Sequence, residues 1–299
     1  MKILAAVVTH NREKLLERCI DHLRKQTRPP DDIVIINNNS TDGTLAMLKR
    51  KKVRAVTQEN LGSAGGWRRS IDEALRVGAD AVWLMDDDGF PDARALEVLE
   101  RDFGDGTACL SSIVVDEKDH DLLVFPLPVL DDRDQPVLFA PRRKIRRARE
   151  LAGASKKTYP FAHLFNGALV SVDTVRRIGN VDDRFFLMGD EIDYLMRMRA
   201  DGFVGSHVEA LHYHPNVASR PWSDVKVYYY LKNTIILNKR YFSAPLVRDL
   251  AAVVAAISRV AKRNSVVEGL SYVAGRRAPV LWRAIARGFR GKVAKDYHG

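Results

Sequence analysis

Residues 81–88 read Ala-Val-Trp-Leu-Met-Asp-Asp-Asp, an apolar run of strand length that ends in three consecutive carboxylates. Three like charges at the end of a buried strand repel one another, and the repulsion is costly where the effective dielectric is low. A divalent cation removes that cost, because carboxylate oxygens are hard ligands suited to Mg²⁺ or Mn²⁺. Asp86 and Asp88 can converge on one ion if the chain turns after the strand. Taken alone, the segment also fits a solvated loop.

The first hundred residues alternate between strand-like and helix-like patterns. Buried strands are predicted for residues 2–9, 32–36, 53–57 and 81–85. Helices are predicted for residues 12–26, 44–50 and 62–78. This alternation is typical of βαβ units and of a mostly parallel sheet. Such sheets bind ligands outside the carboxyl ends of their strands.

Polar motifs follow these strands where ligands are expected. Residues 9–12 (Thr-His-Asn-Arg) follow the first strand and residues 37–42 follow the second. The asparagines at 37–39 can hydrogen-bond a base or a ribose, whereas residues 40–44 are candidates for capping a helix. The glycine-rich stretch at 60–67 opens a helix whose free N–H groups can receive phosphate. Close packing of helix on strand is the alternative for that stretch.

The second half is less regular. Residues 131–157 are charged and poor in apolar side chains, which predicts a mobile loop or an exposed helix. A strand is predicted at 165–171, and helices at 191–200 and 223–241. From residue 245 onward apolar and basic residues interleave, which is typical of amphipathic basic helices.

Two further groups can carry chemistry. Asp190 and Glu191 stand at a predicted helix start, where acids either complement the helix dipole or serve as a general base. His212 and His214 follow a strand-like stretch, and a neutral imidazole could complete the coordination of an ion held by the aspartates. Structural histidines are the alternative.

Composition narrows the class of protein. The chain has 299 residues, 46% of them hydrophobic, which is enough for a sizeable core. Two cysteines without a linking motif argue against a disulfide scaffold and suit a reducing compartment. We expect no signal peptide and no transmembrane helix, since no apolar run reaches about 18 residues.

The net charge of +10 lies entirely in residues 239–299, which hold 13 Lys and Arg against 3 Asp and Glu. We therefore expect a neutral catalytic domain at 1–238 and a basic amphipathic tail at 239–299. The tail suits an acidic partner, either nucleic acid or anionic lipid. Nucleic acid is disfavoured, because the tail has no recognised motif and few aromatics spaced for base stacking. A tail that packs on the domain or forms a homo-oligomer is the plainer alternative.

The motifs together resemble glycosyltransferase family 2, which has the GT-A fold. The resemblance spans roughly residues 1–241. It rests on Thr-His-Asn-Arg, Asn-Ser-Thr-Asp-Gly-Thr, Asn-Leu-Gly and Asp-Asp-Asp at their places after successive strands. Within that family, residues 60–66, 83–89, 164–168 and 189–191 and the pair His214-Pro215 resemble the galactofuranosyltransferases of bacterial cell-wall and surface-polysaccharide assembly.

The resemblance implies a role for each matching residue. Asp86 and Asp88 match the motif that binds metal and nucleotide diphosphate, and Glu191 matches the catalytic carboxylate, with Asp190 as its neighbour. His214 matches a histidine on the metal side, with His212 as the second choice. The residues implied to bind the nucleotide-sugar are Thr9, Asn11, Asn37, Asn60, Gly62, Trp67 and Asp86. Asn166 would face the acceptor. Many members carry Asp where this chain has Asn37.

The implied fold is a Rossmann-like, mixed and mostly parallel α/β sheet flanked by helices, with a C-terminal helical extension. The implied activity is that of an inverting, metal-dependent hexosyltransferase using Mn²⁺ or Mg²⁺. Its donor would be a UDP-sugar, most simply UDP-galactofuranose, and its acceptor a polysaccharide or a polyprenyl-linked glycan. A rhamnosyltransferase using dTDP-rhamnose would show similar motifs. A cytoplasmic enzyme, peripheral on the inner face of the plasma membrane, is the expected setting.

Overall fold

The computed structural model describes residues 1–152, 157–217 and 219–297. The chain forms two compact units, Met1–Val181 with Tyr194–Asn216, and Asp182–Asp193 with Val217–Gly299. The expected division between residues 238 and 239 differs from this, because it falls inside the helix Asp224–Tyr241. That helix shares a core with the basic tail, whose last two residues lie outside the described part of the chain.

Strands and helices alternate through the first half of the chain. The strands are β1 (Ile3–Thr9), β2 (Asp32–Asn37), β3 (Arg54–Thr57), β4 (Ala81–Asp86), β5 (Phe90–Pro91), β6 (Thr107–Asp116), β7 (Leu122–Pro128), β8 (Lys144–Arg147), β9 (Thr158–Tyr159), β10 (Asn166–Ser171) and β11 (Phe203–His214). The helices are α1 (Glu13–Arg24), α2 (Thr44–Lys51), α3 (Gly62–Arg76), α4 (Ala95–Arg101), α5 (Arg149–Ala152), α6 (Val172–Ile178), α7 (Asp190–Asp201), α8 (Asp224–Tyr241), α9 (Pro245–Arg263), α10 (Val266–Ser271) and α11 (Ala278–Phe289).

The first unit is built on a mixed sheet with the strand order β3-β2-β1-β4-β10-β6-β11-β5. Strands β3, β2, β1 and β4 run parallel, whereas β10 is antiparallel to both of its neighbours. β6 and β11 are again parallel to each other. The predicted α/β fold class is confirmed.

The core of the first unit explains why the N-terminal segments fold as predicted. β1 is buried along its whole length, so its run of apolar residues reads as a central parallel strand. α1 turns Leu16, Ile20 and Leu23, spaced by one helical turn, into the same apolar cluster as Trp83. Fully burying an aliphatic side chain of this size contributes about 1.5–3 kcal/mol. The predicted strands and helices of residues 2–85 lie within about two residues of those observed, which is the usual error at element ends.

The region after β6 departs from the expectation. Residues 131–157 were expected to form a loop or an exposed helix, and they contain β8, which pairs with β7, and the short helix α5. Residues 153–156 of that prediction lie outside the described part of the chain. β8 alternates exposed and half-buried positions, with Lys144 and Arg146 on the exposed side and Ile145 and Arg147 on the other. A charge-rich strand of this kind has no apolar run to signal it.

The second unit is helical. α9 and α11 both pack against α8, and Val227, Tyr228 and Leu231 share one core with Ala256 and Leu281. Part of the apolar set in the basic tail is therefore core. Among the described residues, no helix combines the length and the apolar character needed to cross a membrane.

Candidate active site

The candidate site of the first unit lies at the carboxyl ends of β1, β2 and β4. Val8 pairs with Asp86, and Thr9 pairs with Asn37. Residues that follow these strands are therefore neighbours in space although the chain separates them widely. This is the sheet edge at which the sequence predicted a ligand.

Arg12 joins two of the three aspartates. Its Nη1 lies 2.9 Å from Asp87 Oδ1 and 2.8 Å from Asp88 Oδ2. Thr9 Oγ1 donates to Asp87 Oδ2 at 2.6 Å. Burial raises the pKa of Asp87 above its ordinary value, although the charge of Arg12 and the Thr9 hydrogen bond oppose the rise. The guanidinium of Arg12 thus reduces the repulsion between the carboxylates of Asp87 and Asp88.

His214 contacts Asp88, one of the two aspartates that Arg12 joins, in an arrangement that suits a metal. Its Nε2 lies 2.9 Å from Asp88 Oδ1, and its Nδ1 lies 2.7 Å from the carbonyl oxygen of Pro215. Nδ1 faces a carbonyl oxygen, to which it can donate, and Nε2 faces a carboxylate oxygen, with which it could share a cation. Metal-binding histidines commonly donate their other N–H to a backbone carbonyl, so the residues present fit a divalent ion.

The expected trio of Asp86, Asp88 and His214 is not assembled. Asp88 and His214 are together, but within the described ranges no group of three or more His, Cys, Asp or Glu side chains is placed to hold a metal. Asp86 is the last residue of β4, and Asp88 lies in the turn that follows, where it forms a salt bridge with Arg12. An ion on both aspartates would share Asp88 with Arg12.

His212 is fully buried and sits between two glycines. A Cβ added at Gly89 would lie 2.3 Å from His212 Nε2, and one added at Gly167 would lie 3.0 Å from His212 Nδ1. Neither ring nitrogen has a hydrogen-bond partner among the described residues. Burial, and secondarily the charge of His214, lowers the pKa of His212 to about 3, so the ring is neutral. His212 and His214 lie two apart on β11 rather than beyond its end.

Asn166, which was expected to face the acceptor substrate, begins β10 beside the end of β4. It pairs with Met85, one residue before the aspartates. The side chain is 8% exposed, and its Oδ1 has no hydrogen-bond partner in the part of the chain that is described. An unpaired buried carbonyl oxygen is costly, which makes Asn166 a candidate acceptor of a ligand hydrogen bond.

Several residues implied to bind the nucleotide are engaged within the protein. Thr9 uses its hydroxyl on Asp87, as described above. Asn37 is fully buried, and its Oδ1 accepts from Ser40 N at 3.0 Å. Asn11 has a φ of 53° and ties the loops after β1 and β2 together, since its Oδ1 accepts from Thr41 N at 2.7 Å. These side chains shape the rim of the site.

The glycine-rich stretch at the start of α3 contributes to packing as well as to the start of the helix. Asn60 Oδ1 accepts from Gly62 N at 3.1 Å, and Gly62 has a φ of 77° that suits glycine. Trp67 is 1% exposed and stacks on Phe165 with ring centroids 4.2 Å apart. Trp67 was expected to face a sugar, and the structure places it in the core instead. A tryptophan beside a glycine-rich loop does not reveal which way its ring turns.

The candidate base belongs to the second unit and is described with it. Asp190 and Glu191 open α7, and Asp190 is 4% exposed. Burial, with the adjacent negative charge of Glu191, raises the pKa of Asp190 to about 7. Asp193 accepts from Tyr241 and Arg240 of α8, so this third acid is structural. The expected helix start is confirmed, and Asp190 adds a neutral carboxyl next to Glu191 at low pH.

Sequence reasoning assigned no role to Arg12 and Asp87. A signal for both was present, because an arginine after the first strand and an aspartate after the fourth are neighbours if β1 and β4 pair. The missing information was the pairing itself, which local pattern does not give.

The comparisons with known proteins agree with this architecture. Residues 5–153 match the profile of Glycosyl transferase family 2. The chain is 36% identical over 225 residues to the Galactofuranosyltransferase GlfT1 of Mycobacterium tuberculosis, which covers 71% of this chain and 70% of the relative. The corresponding protein of Mycolicibacterium smegmatis is 32% identical over 226 residues, with the same coverage of both chains.

Among solved structures, the chain resembles S. aureus TarS in complex with UDP, with a TM-score of 0.57, 13% identity, and 97% and 81% of the two chains covered. At this low identity the likeness shows the fold alone. The fold and the family match together define a glycosyltransferase of the GT-A class. The chain belongs to glycosyltransferase family 2, and its relatives there include galactofuranosyltransferases.

Proposed function

We propose that this enzyme transfers galactofuranose from UDP-galactofuranose to a glycan of the cell surface, with inversion at the anomeric carbon. The observation that supports the donor is the 36% identity with GlfT1 over 71% of the chain. No distance in the site specifies a furanose, so the donor is an inference from relatives. An acceptor carried on a polyprenyl lipid or on a polysaccharide fits the same relationship.

In the proposed reaction the acceptor hydroxyl attacks the anomeric carbon. The new bond joins the acceptor oxygen to that carbon, the bond from the carbon to the phosphate oxygen breaks, and UDP leaves with the electron pair. Glu191 takes the hydroxyl proton as general base. This role rests on the position of Glu191 in the family motif and on its place in the first turn of α7.

Asp88 and His214 are the proposed ligands of a divalent cation, Mn²⁺ or Mg²⁺, with Asp86 as a further ligand and His212 as a less favoured one. When bound, such an ion supplies charge that neutralises the departing diphosphate. The support is the 2.9 Å approach of His214 Nε2 to Asp88 Oδ1 with Nδ1 bonded to a backbone carbonyl. A mannosyltransferase from Pyrobaculum calidifontis, solved with GDP-Man and Mn²⁺, resembles this chain with a TM-score of 0.54 at 14% identity, over 95% of this chain and 79% of that one.

A donor panel tests the proposed function. The purified full chain is incubated with Mn²⁺, a synthetic galactofuranose disaccharide on a lipid, and each of UDP-galactofuranose, UDP-galactopyranose, UDP-glucose, GDP-mannose and dTDP-rhamnose. We expect transfer from UDP-galactofuranose alone. Transfer from dTDP-rhamnose alone would replace the donor and keep the enzyme class, while absence of transfer from UDP-galactofuranose would overturn the proposal.

The second unit offers a surface for an anionic membrane. α9 leaves Leu246, Leu250 and Val254 exposed at intervals of four residues, so these three side chains lie on one face. α10 adds Val266 and Val267, which are 64% and 78% exposed. Helices with exposed apolar residues and many cations lie in the membrane interface. We infer a peripheral location on the cytoplasmic leaflet, where a lipid-linked acceptor would be confined.

Vesicle flotation tests this location. Each basic residue near an anionic surface contributes about 1 kcal/mol at best, so even half of the 13 Lys and Arg of residues 239–299 would hold the enzyme there. We expect the full chain to float with phosphatidylglycerol vesicles at low salt and a Leu246→Ser, Leu250→Ser, Val254→Ser variant to float less. A wild-type chain that does not float with the vesicles would contradict the proposed membrane-binding surface and would favour an oligomer interface.

A further inference from the structure

The segment that leads into α7 has an unusual backbone. Phe186 and Met188 have φ angles of 62° and 61°, and Gly189 has a φ of 102°. Residues other than glycine rarely have a positive φ, and here two of them do so within three positions. Such conformations persist where the surroundings determine them, and they cluster at functional sites. Asp190 and Glu191 follow immediately.

One buried amide from α8 holds this segment. The Nδ2 atom of Asn233 lies 2.5 Å from the carbonyl oxygen of Met188, 3.1 Å from that of Leu187 and 3.3 Å from that of Phe185. The side chain is 1% exposed. Three carbonyl acceptors on one side require the donor nitrogen to face them, which fixes the orientation of the amide.

The other half of the same amide is not used by the protein. Asn233 Oδ1 is buried and has no hydrogen-bond partner within the residues described. The Asn233 side chain therefore serves the carbonyls of Phe185, Leu187 and Met188, since an asparagine kept for packing alone would leave both of its polar atoms unpaired at a cost. Close contact supports this: a Cβ added at Gly189 would lie 2.8 Å from Asn233 Cβ.

The neighbouring position on α8 secures the helix that carries the amide. Lys232 is fully buried, and its Nζ donates to the carbonyl oxygen of Ala294 at 2.6 Å and to Asp296 Oδ1 at 2.8 Å. Lys295, between those two residues, places its Nζ 4.4 Å from the ring centroid of Phe186. The end of the basic tail and α8 therefore contact the same segment.

We propose that Asn233 is a positioning residue for the reaction: it holds residues 185–188, in which Phe186 and Met188 have positive φ, in the conformation that presents Glu191 as general base. The proposal rests on the proposed function in one respect, the role of Glu191. It gives part of the C-terminal helical unit a task in catalysis that is independent of membrane binding. Asn233 acts through the segment and touches neither donor nor acceptor.

The test compares Asn233→Ala with Asn238→Ala in the full chain. Asn238 is a matched control, since it is a buried amide on the same helix whose Nδ2 donates to Asp249 of α9 at 2.8 Å instead. We expect Asn233→Ala to lower kcat by about 10- to 100-fold, the scale of a misplaced catalytic group. The KM for UDP-galactofuranose should change by less than about twofold, because donor binding is not what the segment provides. Asn238→Ala should keep kcat.

A double variant separates positioning from general loss of structure. If Asn233 acts through Glu191, Asn233→Ala should cost little in a Glu191→Gln background, whereas independent effects would add. Asn233→Ser, which keeps one donor in a smaller side chain, should recover part of the lost kcat, and it replaces Asn233→Ala if that variant does not fold. Additive losses, or a kcat of Asn233→Ala and Asn233→Ser within about twofold of wild type, would overturn the proposal.

Amide hydrogen exchange supplies a readout that needs no sugar chemistry. Asn233→Ala should speed exchange in residues 185–191 and leave β1 and β4 unchanged, since local opening reports local stability. Unchanged exchange in residues 185–191 would overturn the proposal that Asn233 holds this segment, whatever the measured transferase activity. A wild-type chain without transferase activity, or a fully active Glu191→Gln, would instead refute the proposed function, and exchange would still decide whether Asn233 holds the segment.

Discussion

Each of the two units contains a pair of adjacent carboxylates, and the two pairs have different surroundings. Asp87 and Asp88 share a guanidinium nitrogen of Arg12 at 2.9 and 2.8 Å. At Asp190 and Glu191 burial and mutual repulsion act in the same direction, and the pKa of Asp190 rises to about 7. Burial also raises the pKa of Asp87, but there Arg12 and Thr9 oppose it.

The difference shows what each pair is suited to do. At Asp87 the charge of Arg12 and the Thr9 hydrogen bond oppose protonation, and a carboxylate paired with a cation in this way offers its oxygens as ligands. Asp190, with a pKa of about 7, titrates near neutral pH, which is the range in which proton transfer to and from a substrate is useful. Similar residues in sequence therefore point to different chemistry once their neighbours are known.

The largest expected effect comes from the first pair. Asp88→Asn keeps the shape and removes the charge that a cation would need, and we expect turnover to fall by about 10³-fold or more. Mn²⁺-dependent UDP binding, measured by calorimetry, should weaken as well. Asparagine is preferable to alanine, since Asp88 also bonds to Arg12 and His214.

Asp116→Asn is the matched control, because Asp116 is a buried carboxylate of the same sheet that accepts only from backbone N–H groups in the contacts described. It should retain activity. Full activity of Asp88→Asn, or of the wild-type enzyme after removal of metal with EDTA, would contradict the proposed metal site. Arg12 would then be the cation that balances Asp87 and Asp88.

A smaller effect is expected at the second pair. Glu191→Gln keeps the shape and removes the base, so turnover should fall by about 10²-fold or more while UDP binding stays near normal. Steady-state kinetics and calorimetry on the same preparation measure both quantities. An active Glu191→Gln beside an inactive Asp190→Asn would identify the right motif and transfer the role of base to Asp190.

The smallest effect concerns stability. The pKa of Asp190 is raised in the folded chain, so between about pH 4 and about pH 7 the folded state binds a proton that the unfolded state has lost. Stability therefore falls as the pH rises through that window, by ~1.4 kcal/mol for each pH unit at most. Asp190→Asn removes this dependence.

Urea unfolding at pH 4.5 and pH 8 measures the difference. Asp190→Asn should be close to wild type at pH 4.5 and more stable than wild type at pH 8, by on the order of a few kcal/mol at most. An Asp190→Asn chain that loses as much stability at pH 8 as wild type does would show that Asp190 is charged in the fold at neutral pH. The contrast between the two pairs would then disappear.

The sequence predicted those features that depend on local pattern. Apolar runs and helical spacing located β1, β2 and β4 with α1, and the polar motifs after them fell at one edge of the sheet as expected. Asp88 and His214, separated by 126 positions, were assigned to one site on the strength of the family resemblance, and they are 2.9 Å apart.

Features that depend on tertiary neighbours were not predictable in this way. Trp67 turns into the core because Phe165 offers a ring to stack on, and nothing within residues 60–67 indicates that. Arg12 replaces part of the charge that was assigned wholly to a metal. The basic tail was expected to be a separate extension, but its helices supply half of a core whose other half is α8.

The placement of His212 restricts how this sequence can change. A methyl group at Gly89 or at Gly167 would need space that the imidazole occupies, at 2.3 and 3.0 Å from its two nitrogens. Gly167 carries the further restriction of a φ of 87°. Substitution of Gly89 alone should therefore be rejected in a mutational library, whereas Gly89→Ala combined with His212→Ala should be recovered more often. Positions 89 and 212, which are far apart in the chain, are therefore expected to change together.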